Sequence, residues 1–295
     1  DRWVLRNQAE LLADADIDVV IFDNTNGTEN YMAGINELLE VWAEARLDGV
    51  KTPGISAMLN MFNYQDAATQ IRELYDNIYS KGLYQDLWFI WEGKPLMVGS
   101  PSGLNKRDEH DKEILDFFSW RPINPCYTQD YRQIIENGVI TTQWAPDTSL
   151  LRKYTFWKWI SVYPQQSMLD VTDKSVEEMS VSVAQNWSDA KGLTAMNAGY
   201  DNQYGRAYSV EKGFIIPTED AILWGQNFKD QFEYALSVDP DFIYITGWNE
   251  WVAGRYNEMW GTENALPDNA TAGFSRDIEP SNGVLKDHYY YQMVS

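Results

Sequence analysis

Helix-spaced and strand-like stretches alternate along the whole chain. Residues 2–14 read as a helix, and residues 31–48 as a second, with apolar Leu38, Leu39 and Trp42 on one helical face. A third helix is predicted from residue 66 to about residue 81, stopped by Gly82, a residue type suited to the left-handed turn that closes helices. Another ends over residues 113–118, a long one covers 219–237, and a closing helical segment begins at the tyrosines 289–291. Between them lie short runs rich in β-branched and aromatic residues: 18–23, 53–59, 119–122, 158–163, 179–184 and 242–246. Residues 87–91 and 95–98 flank Glu92-Gly93-Lys94, which reads as a hairpin-like turn.

About seven strands, most followed by a helix or a long loop, nearly fill the plan of a (β/α)8 barrel. The expected fold is therefore α/β: one catalytic TIM barrel spanning residues 1–295, with its first strand upstream of this chain. An N-terminally incomplete barrel is expected to leave unpaired backbone beside the strand at residues 19–22. An open doubly wound sheet is the competitor, but no Gly-rich phosphate turn follows the first strand.

Composition narrows the function. A formal net charge of −21 would repel a polyanion over most of the surface, which argues against nucleic acid and against anionic membranes as partners. No run of 18 apolar residues exists, so no membrane-spanning helix is predicted. The 13 Trp and 18 Tyr exceed what a core usually needs, and such amphipathic rings suit contacts with saccharides. Cys126 stands alone, so no intrachain disulfide can form. The sequons at Asn26, Asn186 and Asn269 are read as chance. A monomer is expected, secreted or periplasmic, with any signal peptide outside this chain. No cofactor is expected, with a structural Ca²⁺ among the Asp and Asn loops left open.

With only His110 and His288, a Ser-His-Asp triad or a His-rich zinc site has little to draw on. Carboxylates remain, and several fall where strands end. The apolar run 242–246 leads into Gly247-Trp248-Asn249-Glu250-Trp251, a carboxylate between two indoles at the tip of a predicted barrel strand, where active sites of that fold lie. Asp201, in Ala198-Gly199-Tyr200-Asp201-Asn202, follows the preceding strand, and its plainer reading is a turn-forming Asp-Asn pair. Glycoside hydrolysis uses two carboxylates about 5–5.5 Å apart for retention or about 6.5–9.5 Å for inversion, and Asp201 with Glu250 is the leading pair. Asp23, Asn60, Glu92, Tyr163, Trp187, Asn202, Trp248, Asn249 and Trp251 are candidate substrate contacts. Trp91 is a further stacking surface, and Glu92-Gly93 is more often a β-turn. Arg121, Arg206, Arg255 and Arg276 would suit a sulfated or uronate sugar, or else pair with the abundant Asp and Glu.

The segments 247–251 and 198–202, with 21–27 and 274–280, resemble the glycoside hydrolase family 99-like barrels, which include endo-α-mannosidases and WbsX-type proteins. The resemblance spans residues 18–291 and implies a TIM-barrel glycosidase. It departs at Ala253, where the family 99 mannosidases carry a second Glu. The related family 168 endo-α-1,3-fucanases use an Asp and a Glu as a retaining pair, an arrangement that Asp201 and Glu250 would match. The resemblance thus implies an endo-acting hydrolase of a marine or bacterially degraded polysaccharide, a sulfated fucan first. Alternatives are a neutral α-mannan or α-glycan hydrolase of the same class, or a non-catalytic carbohydrate-binding barrel.

Overall fold

A computed structural model describes residues 1–127, 147–216, 220–250, 254–268, 273–280 and 288–295. Two compact units make up the chain: residues 1–123 with residue 294, and residues 124–293 with residue 295.

In the first unit, helix α1 (Arg2–Asp14) starts where the Asp1 side chain accepts the Trp3 N–H at 2.9 Å, a side-chain cap for a main-chain donor that the helix leaves open. It packs on α2 (Met32–Leu47), which buries Ile35, Leu39, Val41, Trp42 and Ala45. Strand β1 (Val19–Asp23) pairs in parallel with β2 (Gly54–Met58), Val19 opposite Gly54 and Asp23 opposite Met58. Every residue of β2 is buried, as a parallel strand covered on both faces requires. Helix α3 (Tyr64–Leu74) follows and continues into a π-helical turn, Tyr75–Tyr79.

Strands β3 (Ile90–Trp91) and β4 (Lys94–Val98) form the expected hairpin. Its two turn residues, Glu92 at φ 49° and Gly93 at φ 80°, both take the left-handed backbone that lets two-residue loops follow strand twist. β4 pairs in parallel with β2 and with β5 (Ser119–Arg121), after helix α4 (Glu109–Phe117). Leu96, Met97, Val98, Ile55 and Ala57 form the centre of this layer; each large aliphatic side chain buried there contributes about 1.5–3 kcal/mol. Among the described residues β1 pairs only with β2 and is an edge of this sheet.

The second unit begins with residue 124, in the short strand β6 (Ile123–Asn124), and continues with β7 (Trp157–Lys158) and β8 (Met168–Leu169). β9 (Val176–Ser182) has β8 antiparallel on one side; on the other lies the parallel β14 (Phe242–Thr246), with two hairpins between β9 and β14 in the chain. Those are β10 (Trp187–Ser188) with β11 (Gly192–Leu193), and β12 (Tyr208–Ser209) with β13 (Phe214–Ile215). Helix α5 (Asp220–Trp224) ends at Gly225, and α6 (Gln226–Val238) packs over β9. The long helix expected over 219–237 is thus two. After the hairpin β15 (Tyr256–Met259) and β16 (Thr262–Ala265), helix α7 (His288–Val294) closes the chain.

The strand expected over 158–163 is reduced to Trp157–Lys158, and β9 starts three residues earlier than its apolar pattern suggests. The first reflects side chains that take the Trp159 and Ser161 carbonyls, and the second reflects buried charge. Glu177 accepts Trp157 Nε1–H at 2.5 Å, and Glu178 accepts the Lys158 N–H at 2.9 Å. Lys158 Nζ donates to the Cys126 carbonyl at 2.5 Å. Burial pushes the Lys158 ammonium down to about 8 and the Glu178 carboxyl well up, so each moves toward its neutral form in the dry interior. The fold is thus mixed α/β with parallel strands in both units. No described helix is long and apolar enough to cross a membrane.

Candidate functional site

The end of β14 is built as a platform. Thr246 Oγ1 donates to the Trp159 carbonyl. Gly247 then adopts φ 103°, and a Cβ at this position would lie 2.6 Å from the Arg276 carbonyl oxygen, so the turn admits only glycine without rearrangement. The Trp248 carbonyl accepts two N–H groups, from Ile278 at 3.1 Å and Glu279 at 2.9 Å. Residues 275–279 therefore run along the strand tip as a strap. Past the tip, Asn249 and Glu250 are exposed, while Trp248 is half-buried, edge-on to Tyr290 with ring centroids 6.5 Å apart.

Two buried arginines fix the strap. Arg206 donates from Nε to the Ser275 carbonyl at 2.6 Å and from Nη2 to the Asp277 carbonyl at 3.1 Å. Arg276, 3 % exposed, pairs with Asp268 at 3.2 Å, donates to Asn186 Oδ1, and lies 5.2 Å over the Trp159 ring. Asn186 is held in turn by the Tyr127 hydroxyl at 3.0 Å and by its own Nδ2–H to the Pro267 carbonyl at 2.6 Å. Burial opposes the Arg276 charge. The pull of Asp268 foremost, with Glu250 and Asp277 behind it, outweighs that cost and raises its pKa above the ordinary value. Glu250 thus stands within electrostatic reach of a fixed cation.

Asp201 sits on a separate turn. Gln203, buried, holds that turn by donating to the Ala195 and Met196 carbonyls at 2.9 and 2.8 Å and accepting the Gly199 N–H at 3.2 Å. Asn202 takes a left-handed backbone at φ 52°. Asp201 is exposed, with no side-chain hydrogen bond or ion pair to a described residue. Tyr163, half-buried, packs edge-on to Tyr234 at 5.3 Å, and Trp187, also half-buried, stacks on Tyr127 at 6.3 Å between two apolar clusters. Arg255 is exposed and donates to Asn264 Oδ1 at 2.7 Å. Trp251 and Ala253 lie outside the described residues.

In the first unit, Asp23 ends β1 exposed, and its Oδ1 accepts from the Thr25 N–H at 3.0 Å and hydroxyl at 2.7 Å. Asn60 is buried and accepts the Phe62 and Asn63 N–H groups at 3.0 and 2.8 Å. Glu92 pairs with buried Arg121 at 3.0 Å.

Of the sequence-selected residues, the structure joins Trp248, Glu250, Arg206 and Arg276 in one local assembly. It keeps Arg121, Arg206 and Arg276 inside the scaffold, engaged with protein groups. Sequence reasoning missed Asn186, Asp268 and Asp277 as supports of the tip. Asn186 registered only as a sequon, whereas Asp277 lies in a segment that carried part of the family resemblance.

No protein-family model matches the chain, and no curated protein matches it in sequence. Among solved structures it is similar to the GH99 endo-alpha-mannosidase from Bacteriodes thetaiotaomicron in complex with BIS-TRIS-Propane, at 11% identity and a TM-score of 0.43, over 100% of this chain and 82% of that one. Likeness at that level leaves the function to be argued from this chain's own residues.

Proposed function

We propose that the chain is an endo-acting glycoside hydrolase of a polysaccharide, working by retention, with Asp201 as nucleophile and Glu250 as general acid/base. The observation that carries the reading is the tip of β14: an exposed carboxylate on a parallel strand's C-terminal end, its main chain tied down, with an indole and an amide beside it. In the first step Glu250 gives a proton to the glycosidic oxygen as Asp201 attacks the anomeric carbon. In the second, Glu250 takes a proton from the water that hydrolyses the glycosyl ester. Trp248 offers an apolar ring to a sugar face, and Asn249 and Asn202 offer polar groups to hydroxyls. A (β/α)8 barrel is the architecture we propose with this activity. A secreted or periplasmic, monomeric protein is the setting we propose, because a polymer substrate is met outside the cytoplasm.

Two substrate classes compete. A sulfated fucan would need cationic groups at the surface, and Arg255 is the exposed member of the arginine set among the described residues. The engagement of Arg121, Arg206 and Arg276 inside the protein favours a neutral α-mannan or α-glycan. Incubation with a panel of sulfated fucans, α-mannans and neutral α-glycans, with products weighed by mass spectrometry, separates them. Oligosaccharides from one class, lost in both Glu250→Gln and Asp201→Asn, support the proposal. An intact panel, or full turnover in either variant, refutes it.

A further inference from the structure

Away from the β14 tip, one exposed carboxylate is held on both oxygens by buried groups. Asp189 opens the turn of the β10–β11 hairpin, Asp189-Ala190-Lys191. Its Oδ1 accepts the Tyr204 hydroxyl at 2.8 Å, and its Oδ2 accepts the Tyr208 hydroxyl at 2.9 Å. Both phenols come from the interior. Tyr204 is 7 % exposed and Tyr208 2 %, and their rings stack with centroids 3.9 Å apart and 17° between planes. The Tyr204 main chain is pinned as well, its N–H donating to the Trp187 carbonyl at 2.8 Å and its carbonyl accepting the Gln185 N–H at 2.8 Å. Burial foremost pushes both phenols up, Tyr208 to about 12, so each remains a donor through the neutral range. No described cation is in ion-pair contact with Asp189.

An ionised carboxylate accepts about four hydrogen bonds, two on each oxygen. The phenols take one place on each oxygen from the protein side and leave one place on each toward solvent. An exposed aspartate is ordinarily free to turn. This one is fixed before any ligand arrives, so a ligand that it binds meets little ordering cost. Two hydroxyls on neighbouring carbons of a pyranose donate side by side, which matches a planar acceptor with one place open on each oxygen. The hairpin also lies against the turn that carries Asp201. Ser188 bridges Gln203 in antiparallel fashion, so Asp189 and Asn202 are the next residues along the two segments, and Lys191 Nζ stands 5.6 Å over the Tyr200 ring. We propose that Asp189 is a specificity-determining residue, a clamp for two adjacent unsulfated hydroxyls of the sugar bound beside the Asp201 turn. This rests on the reading of the chain as a polysaccharide hydrolase and names the sugar at that position as a neutral one with a free vicinal diol. A sulfate ester on either hydroxyl removes a donor and sets a second negative charge against the carboxylate, so a sulfated residue is rejected there.

Affinity electrophoresis of the full chain, in gels cast with α-mannan, a sulfated fucan, or the same fucan after chemical desulfation, measures binding without turnover. The Glu250→Gln protein is used so that each polymer stays whole. It should be retarded by α-mannan or desulfated fucan, and less by the sulfated fucan. Adding Asp189→Asn should weaken retention by the unsulfated polymer about 10-fold, the worth of a hydrogen bond to a charged group, and leave retention by the sulfated fucan unchanged or raised. A merely structural role would lower both alike. Equal weakening on both polymers, no weakening on the unsulfated one, a preference for the sulfated fucan, or no retention by any unsulfated polymer overturns the proposal. If Asp189→Asn does not fold, Tyr208→Phe decides. It keeps the charge but frees one oxygen, and should weaken retention by the unsulfated polymer about 3-fold through the order that is lost. Unchanged retention in that variant overturns the proposal. A polymer retained through Asp189 yet left whole by the wild type refutes the chemistry assigned to Glu250 and Asp201 and keeps the clamp as a binding site.

Discussion

Two strand tips end in polar residues and use them in opposite ways. At the end of β2, the polar side chains turn inward. Asn60 accepts two loop N–H groups, donates from Nδ2 to the Gly27 carbonyl at 3.1 Å, and donates its main-chain N–H to Gln70 Oε1 at 2.8 Å. Gln70, buried on α3, also donates to the Asn24 carbonyl, and Asn24 Nδ2 donates to Asn30 Oδ1 at 3.1 Å. That tip satisfies itself. At the end of β14 the holding is done from below by a distant segment, and the tip's own Asn249 and Glu250 face solvent. An asparagine absorbed in its own loop is loop chemistry. A carboxylate left outside, two residues past a carbonyl that a distant segment holds, is open to groups arriving from solvent.

The largest expected effect sets these tips against each other. Glu250→Gln should lower turnover of the cleaved polysaccharide about 10³-fold or more, with a melting temperature like that of the wild type. Asn60→Ala should do the reverse. It strands two loop N–H groups, each costing about 1–3 kcal/mol if left unpaired, while turnover per folded molecule survives. Kinetics and thermal melts on both variants check the pair. Loss of turnover in a fully folded Asn60→Ala protein would erase the distinction and return Asn60 to the substrate site.

Next comes the buried support of the β14 tip. Arg276→Met would remove the Arg276 counter-charge from Asp268, 1 % exposed, and should cost about 3–5 kcal/mol in chemical denaturation. Arg276→Met with Asp268→Leu should recover part of that loss, since a well-packed apolar pair can replace a buried ion pair. No recovery would mean that Asn186 and Trp159, not the ion pair, supply most of the arginine's worth. Gly247→Ala is a smaller change at the same tip. It forces a Cβ toward the Arg276 carbonyl in a backbone conformation that L-residues avoid, at about 1–3 kcal/mol. A wild-type denaturation midpoint in that variant would show that the strap gives way.

The same contrast explains what the sequence disclosed. Residues 242–246 were legible as a strand because the run is β-branched and aromatic, and residue 247 as its end because a glycine follows. Strand β9 was legible only from Met179, because Glu177 and Glu178 look like solvent residues and are buried through partners about twenty positions away. Residues 159–163 look like strand, yet the Trp159 and Ser161 carbonyls bond to the side chains of Thr246 and Gln185. Local pattern carries no record of such partners. Nor does it show that Arg206 and Arg276 point inward: an arginine near a strand end reads the same whether it grips a sulfate or a carbonyl.

The smallest expected effect lies one turn beyond the β2 tip. Asn63 caps α3, its side chain accepting the Gln65 and Asp66 N–H groups at 3.0 and 3.3 Å. Asn63→Ala should cost about 1 kcal/mol, the ordinary worth of such a cap, and Asn63→Asp should keep the stability because a carboxylate accepts the same bonds at a helix N-terminus. Since α3 carries Gln70, fraying from its first turn would reach the Asn60 loop before any other part of the sheet. Hydrogen exchange should therefore quicken over residues 60–70 in Asn63→Ala and stay unchanged over 242–250. Equal quickening at both tips would show that they are secured together, and the division between a self-satisfied tip and a presented one would no longer hold.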